Sequence, residues 1–151
     1  MLIDIGYDME LALSAPTALI YLLRVYANRE QDPQAPENFQ VQPGLQTREY
    51  FDFFGNRCGR IQVPAGVSAV RLTNRARPYD SGLPDVVQMD FSAWFEVYLG
   101  GQWYAFDARH NTPPIGRIVM AMGRDAGGVP ITMTFGANTL TRFEVTTDAV
   151  I

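Results

Sequence analysis

Few residues in this chain could carry covalent chemistry. There is one cysteine, Cys58, and one histidine, His110. Ser92, Asp107 and His110 all fall in "MDFSAWFEVYLGGQWYAFDARHN", residues 89–111. A thiol or hydroxyl beside an imidazole, itself oriented by a carboxylate, is the arrangement that performs acyl transfer. A reactive thiolate needs a base or a cation nearby, and Arg57 and Arg60 are close to Cys58 in sequence. Cys58 nevertheless follows a turn in the N-terminal half, where it reads as a small, semi-buried strand residue. Serine needs a general base within about 3 Å. Asp107 is too weakly basic for that role, so Ser92 reads as a polar strand residue. One histidine among scattered acids has no metal-ligand spacing, so neither a metal nor a cofactor is expected.

The element that positions Ser92 and Asp107 is a hairpin closed by Gly100-Gly101, a pair suited to a two-residue loop. That loop pairs Leu99 with Gln102, Tyr98 with Trp103, Glu96 with Ala105, Trp94 with Asp107 and Ser92 with Arg109. The two-residue period then sorts the faces. Phe91, Ala93, Phe95, Val97, Tyr104, Phe106 and Ala108 share a face expected to enter the core. Ser92, Trp94, Glu96, Tyr98, Trp103, Asp107 and Arg109 share the other. Asp107 and Ser92 are diagonal neighbours, roughly 7–8 Å apart between backbones. A histidine at position 92 could span that gap, but a serine cannot. His110 falls on the face opposite Asp107.

The rest of the chain reads as strands. Residues 1–13 alternate strictly, with Met1, Ile3, Ile5, Tyr7, Met9, Leu11 and Leu13 on one face of a half-buried strand. "TALIYLLRVYA" is apolar on both faces and fits a central strand. "NREQDPQAPEN" (28–38) is a loop. Residues 46–54 and 57–63 flank a turn at Gly55-Asn56, and a further strand occupies 67–73. "RPYDSGLPD" (77–85) breaks the pattern. After the hairpin come a loop at Thr112-Pro113-Pro114, the run "RIVMAM", helical turns near Arg124, and strands near 130–136 and 139–147. The expected fold is mainly β, with antiparallel sheets in a sandwich-like or barrel-like arrangement and little helix. Two β units, 1–77 and 88–151, are joined by a linker at 78–87 and are expected to fuse into one body.

Composition narrows the function. Hydrophobic residues make up 47% and charged residues 19% of the 151, which suits a globular protein. No apolar run approaches the roughly 20 residues of a membrane helix. The net charge of −4 argues against a general nucleic-acid binder. All twelve basic residues are arginine, so the chain has no lysine amine for an isopeptide bond. The acids Asp4, Asp8 and Glu10 stand where a secretory leader would be basic, which points to a cytoplasmic protein.

The two halves together resemble the bacterial transglutaminase-like superfamily of papain-related cysteine enzymes. "SAWFEVYL" and "W-Y-A-FDAR" are similar to that family's "HAWFEVYL" and "W…FDP" strands. The stretch from "IGYDMELALSAPTALIYLLRV" through "DFFGNRCGRIQVPAG" to "DSGLPD" resembles its N-terminal β-domain. The resemblance implies a triad histidine at position 92 and a triad aspartate at 107. Ser92 stands in the histidine's place, while Asp107 matches. The nucleophile's helical segment, "G-x-C-R-D-F-A-H"-like in the family, is missing, because "DSGLPD" runs through Val86-Val87-Gln88 into "MDFSAWFEV". The implied protein is a truncated, catalytically inactive binding, assembly or structural module. The alternative is a residual hydrolase or acyl-transfer enzyme using Cys58 or Ser92. In the family the face carrying Trp94, Tyr98 and Trp103 packs on the nucleophile's helix or lines the cleft. Without that helix, Trp94, Tyr98, Trp103 and Arg109 are expected to form an interface. A homo-oligomer is expected, with a protein partner as the other candidate.

Overall fold

The computed structural model describes residues 3–26, 37–77, 91–109 and 118–149. Ten strands run in chain order: β1 (Ile3–Leu13), β2 (Thr17–Tyr21), β3 (Gln40–Gln42), β4 (Thr47–Phe51), β5 (Arg57–Val63), β6 (Ala69–Ala76), β7 (Phe95–Leu99), β8 (Gln102–Phe106), β9 (Thr132–Phe135) and β10 (Asn138–Ala149). The one helical element among the described residues is a 3-10 turn at Ala126–Gly128, two residues past Arg124. The fold is mainly β, as its sequence implies. The loops expected at 28–38 and 112–114, the proposed linker and His110 lie wholly or mostly outside the described residues.

The strands form three antiparallel sheets, ordered β10-β1-β6-β3, β4-β5-β2-β9 and β7-β8. None closes into a barrel. In β1 the strict alternation buries Tyr7, Met9, Leu11 and Leu13. The opposing rows are Val70 and Leu72 of β6, Leu19 and Tyr21 of β2, and Ile61 and Val63 of β5, and together they form one core. The two four-stranded sheets therefore face each other as a sandwich. β9 and β10, from the C-terminal part of the chain, lie at one edge of each sheet. The chain's two halves thus share both sheets. A bulge at Thr141, between the pairs Glu10–Arg142 and Leu11–Leu140, keeps Leu140 and Phe143 on the inward side of β10.

Close packing sets one glycine absolutely. A Cβ on Gly59 would fall 1.9 Å from the Tyr21 ring, so Gly59 is what lets that fully buried ring lie across β5. Burial pushes the Tyr21 phenol up to about 12. Beside it, Glu37 accepts hydrogen bonds from Arg24 Nε, Val25 N and Asn74 Nδ2, each at 2.8 Å. Tyr7 donates to the Leu23 carbonyl at 2.6 Å. This polar seam satisfies charge that the sandwich would otherwise bury unpaired.

The β4–β5 connection is longer than Gly55-Asn56 suggests. Residues 52–56 form the loop, and the Asp52 carboxylate accepts from Phe54 N, Asn56 N and Asn56 Nδ2. A two-residue Gly55-Asn56 loop would place Phe51 opposite Arg60. The observed register instead pairs Phe51 with Arg57 and Arg48 with Arg60.

Candidate functional site

The β7–β8 hairpin turns at Gly100 and Gly101, whose φ angles of 58° and 92° are both positive, as a type I′ turn requires. The ladder runs from Leu99–Gln102 to Phe95–Phe106, the register expected from the sequence. It stops there. The Trp94–Asp107 and Ser92–Arg109 pairings expected from the sequence fall beyond it, because Asp107 Oδ1 accepts from the Arg109 backbone N–H at 2.9 Å. That Asx-type bond turns the chain through 108–109.

Burial departs from expectation. Phe91 does reach the core: its ring stacks on Phe143 at 5.5 Å and leans on Tyr7 at 5.7 Å. The remainder of the expected core face does not follow it. Phe95 is 52% exposed and Tyr104 and Phe106 are each 44% exposed, while on the other face Tyr98 and Trp103 are 57% and 64% exposed. The period-2 pattern is real, but among the described residues neither face of the β7–β8 ladder is covered by another layer. Phe91 anchors the element and the hairpin beyond it projects with both faces accessible. Each face is held by its own ring pair, Phe95–Phe106 at 5.4 Å and Tyr98–Trp103 at 5.2 Å. Such pairs contribute only about 0.5–1.5 kcal/mol each beyond area burial. A lone two-stranded hairpin is marginal in water, so this one presents far more apolar surface than its own pairing justifies.

The residues with possible catalytic roles are placed differently. Asp107 is buried at 6% exposure, with one carboxylate oxygen committed to the turn. Ser92 Oγ is buried without a hydrogen-bond partner, and Trp94 is half-buried. Cys58 is 4% exposed and lies opposite Tyr50 on β4. Its Sγ donates to the Asn56 carbonyl at 3.7 Å. Burial raises the thiol above its ordinary pKa, and the nearby Asp52 charge raises it further. That is the reverse of what an activated nucleophile needs. Among the described residues no cluster of histidine, cysteine or acids could hold a metal.

This architecture has a solved counterpart. The crystal structure of a "putative cysteine protease" from Cytophaga hutchinsonii superposes with a TM-score of 0.74 over 97% of this chain and 90% of that one, at 15% identity. At that identity the likeness is one of fold. No family model matches the chain, and no curated protein matches its sequence. No helix among the described residues is long and apolar enough to cross a membrane.

What sequence reasoning missed at the hairpin is the exposure of Phe95, Leu99, Tyr104 and Phe106. Alternation reveals that a strand has two faces, but it does not say whether a partner layer exists.

Proposed function

We propose that this protein is a catalytically inactive, internally shortened relative of the transglutaminase-like cysteine enzymes. It acts in the cytoplasm as a binding and assembly module, with the β7–β8 hairpin as its contact surface and a second copy of the chain as the first partner. One observation carries the reading: large apolar side chains stand exposed on both faces of a hairpin whose base is anchored through Phe91 in the core. Loss of the nucleophile's helix from the sequence is the simplest origin of an aromatic face left uncovered by the described residues.

Inactivity is supported by Ser92 in the histidine's place, by Asp107 serving a turn, and by the buried, high-pKa thiol of Cys58. Triad members work as a unit, so a chain lacking two of them retains at most a weak residual. Among the described residues, the raised pKa of Cys58 and the unpartnered Ser92 Oγ disfavour residual chemistry through either.

Sedimentation velocity on the full chain at micromolar concentration tests the assembly role, and an assembly larger than the 16.9 kDa monomer is the expected result. A monomer with blue-shifted, quencher-insensitive tryptophan emission would overturn it. Amine incorporation into a glutamine peptide and hydrolysis of an activated ester test inactivity. Turnover that Cys58→Ala abolishes would overturn that half.

A further inference from the structure

The outer face of the β4-β5-β2-β9 sheet carries a second feature, independent of the hairpin. Its register sets Arg48 opposite Arg60, Arg60 opposite Ile20, and Ile20 opposite Met133. The next outward row runs Gln62, Ala18, Phe135. These positions alternate with the inward Ile61 and Leu19, so they leave the sheet away from the core. Gln46, Arg48, Arg60 and Gln62 line a cleft of about 280 Å³.

Like charges directly opposite each other weaken a ladder. Five other arginines of the described sheets and loops are answered by acids. Arg71 and Arg142 share Asp8, Arg77 meets Asp4, and Arg24 and Arg57 meet Glu49. Arg48 and Arg60 have no ion pair among the described residues. In a chain of net charge −4, this positive cleft is not a by-product of general basicity.

We propose that this cleft binds a phosphate monoester of a small organic molecule. Two guanidiniums match the charge of roughly −1.5 to −2 that a phosphomonoester carries near neutral pH. Their planar forks can each grip two phosphoryl oxygens. The amides of Gln46 and Gln62 supply further donors at the rim. Ile20, Met133 and Phe135, continuous with the arginine and glutamine rows, form an apolar shelf for the organic part. A monocarboxylate would leave one guanidinium unanswered.

The test is a titration of the full chain with phenyl phosphate, phenyl sulfate and inorganic phosphate at constant ionic strength, followed by ¹H–¹⁵N NMR including arginine Nε and glutamine amide signals. Saturable shifts centred on Gln46, Arg48, Arg60 and Gln62 are expected, tightest for phenyl phosphate and weakening as pH falls through about 6. Arg48→Gln and Arg60→Gln should each weaken binding roughly tenfold or more, since each removes a charged hydrogen-bond donor. Arg124→Gln, which makes the same change in net charge on an exposed loop, should leave binding unchanged. The two cleft variants should melt no lower than the parent, because a repulsive pair is relieved. Non-saturating or dispersed shifts, or a double variant binding as tightly as Arg124→Gln, would overturn the site. Inorganic phosphate binding as tightly as the ester would overturn its assignment to an ester.

Discussion

Replacing Trp103 with serine should dissolve the assembly while leaving the subunit folded. Six large apolar side chains of the hairpin, Phe95, Tyr98, Leu99, Trp103, Tyr104 and Phe106, stand at about half exposure. At roughly 200 Å² each, they offer about 600 Å² per copy. If the partner encloses both faces of the hairpin, two copies reach about 1,200 Å², the lower edge of a standard specific interface. Trp103, 64% exposed, accounts for about 160 Å² of this, or about 320 Å² across a two-fold pair. At about 25 cal/mol per Å² its full burial would contribute about 8 kcal/mol. Realising only a third of that still leaves near 2.7 kcal/mol, a change of about 100-fold in the dissociation constant. Within the subunit, Trp103→Ser loses the Tyr98 ring pair, about 0.5–1.5 kcal/mol, and the roughly 90 Å² of the side chain already covered, about 2 kcal/mol more. Sedimentation equilibrium reads the first quantity and a thermal melt at monomeric concentration reads the second. An unchanged dissociation constant would refute the interface. A melting temperature lowered by more than roughly 15 °C, against 2–4 °C per kcal/mol for a chain this long, would show that Trp103 supports the fold itself.

Asn56→Ala should destabilise the chain by about 3 kcal/mol. The side chain is fully buried and bonds the Met122 N–H, the Met122 carbonyl and Asp52 at 2.7 Å each, and buried groups left unpaired are costly; a urea titration with an unchanged slope measures it. Cys58 should react with a disulfide reagent far more slowly than a free thiol at neutral pH and reach the free rate only in denaturant, because burial both shields the thiol and raises its pKa; fast stoichiometric labelling of the native chain would contradict the placement. Stability should fall as acid is added. The Arg71 hydrogen bond, together with the Arg142 charge, holds Asp8 below the ordinary carboxylate range. The stabilisation from that pair is therefore full above the unfolded value of about 3.9 and is lost as pH falls through the lower folded value. Asp8→Asn should flatten the unfolding midpoint between about pH 5 and 2, and an unchanged acid limb would remove Asp8 from the account.

How much of this was legible in the sequence depends on whether a feature is set locally or by tertiary pairing. The alternation of β1 reads correctly because one of its faces meets a core, so the pattern and the burial coincide at Tyr7, Met9, Leu11 and Leu13. The hairpin register is legible because Gly100-Gly101 fixes it within the loop itself. β3 is not: "QVQ" has one apolar residue, and it is a strand only because Gln40–Gln42 pair with β6. The Arg48–Arg60 cleft is hidden for a related reason. Asp52 caps a five-residue loop where the glycine suggests a shorter one, and only the resulting register brings the two guanidiniums together.

At the hairpin and at the cleft local pattern and tertiary environment disagree, and the disagreement has the same form in each. A sheet surface is stabilised by its cross-strand pairs, and a pair is informative when its side chains prefer a third party to each other. On the outer face of the first sheet, Asp8, Arg71, Arg142 and Glu144 satisfy one another across the strands, so nothing further is asked of that face. Arg48 and Arg60 repel, and the Tyr98–Trp103 and Phe95–Phe106 pairs leave about half of each ring wet. Consistency across levels is the ordinary condition of a folded chain, and departures from it cluster where a chain does something besides fold. The core of this sandwich shows no such departure at Leu19, Ile61, Val63, Val70 or Leu72. On the two proposals made above, binding falls to the projecting hairpin and the arginine face, with the sandwich as the rigid part between them.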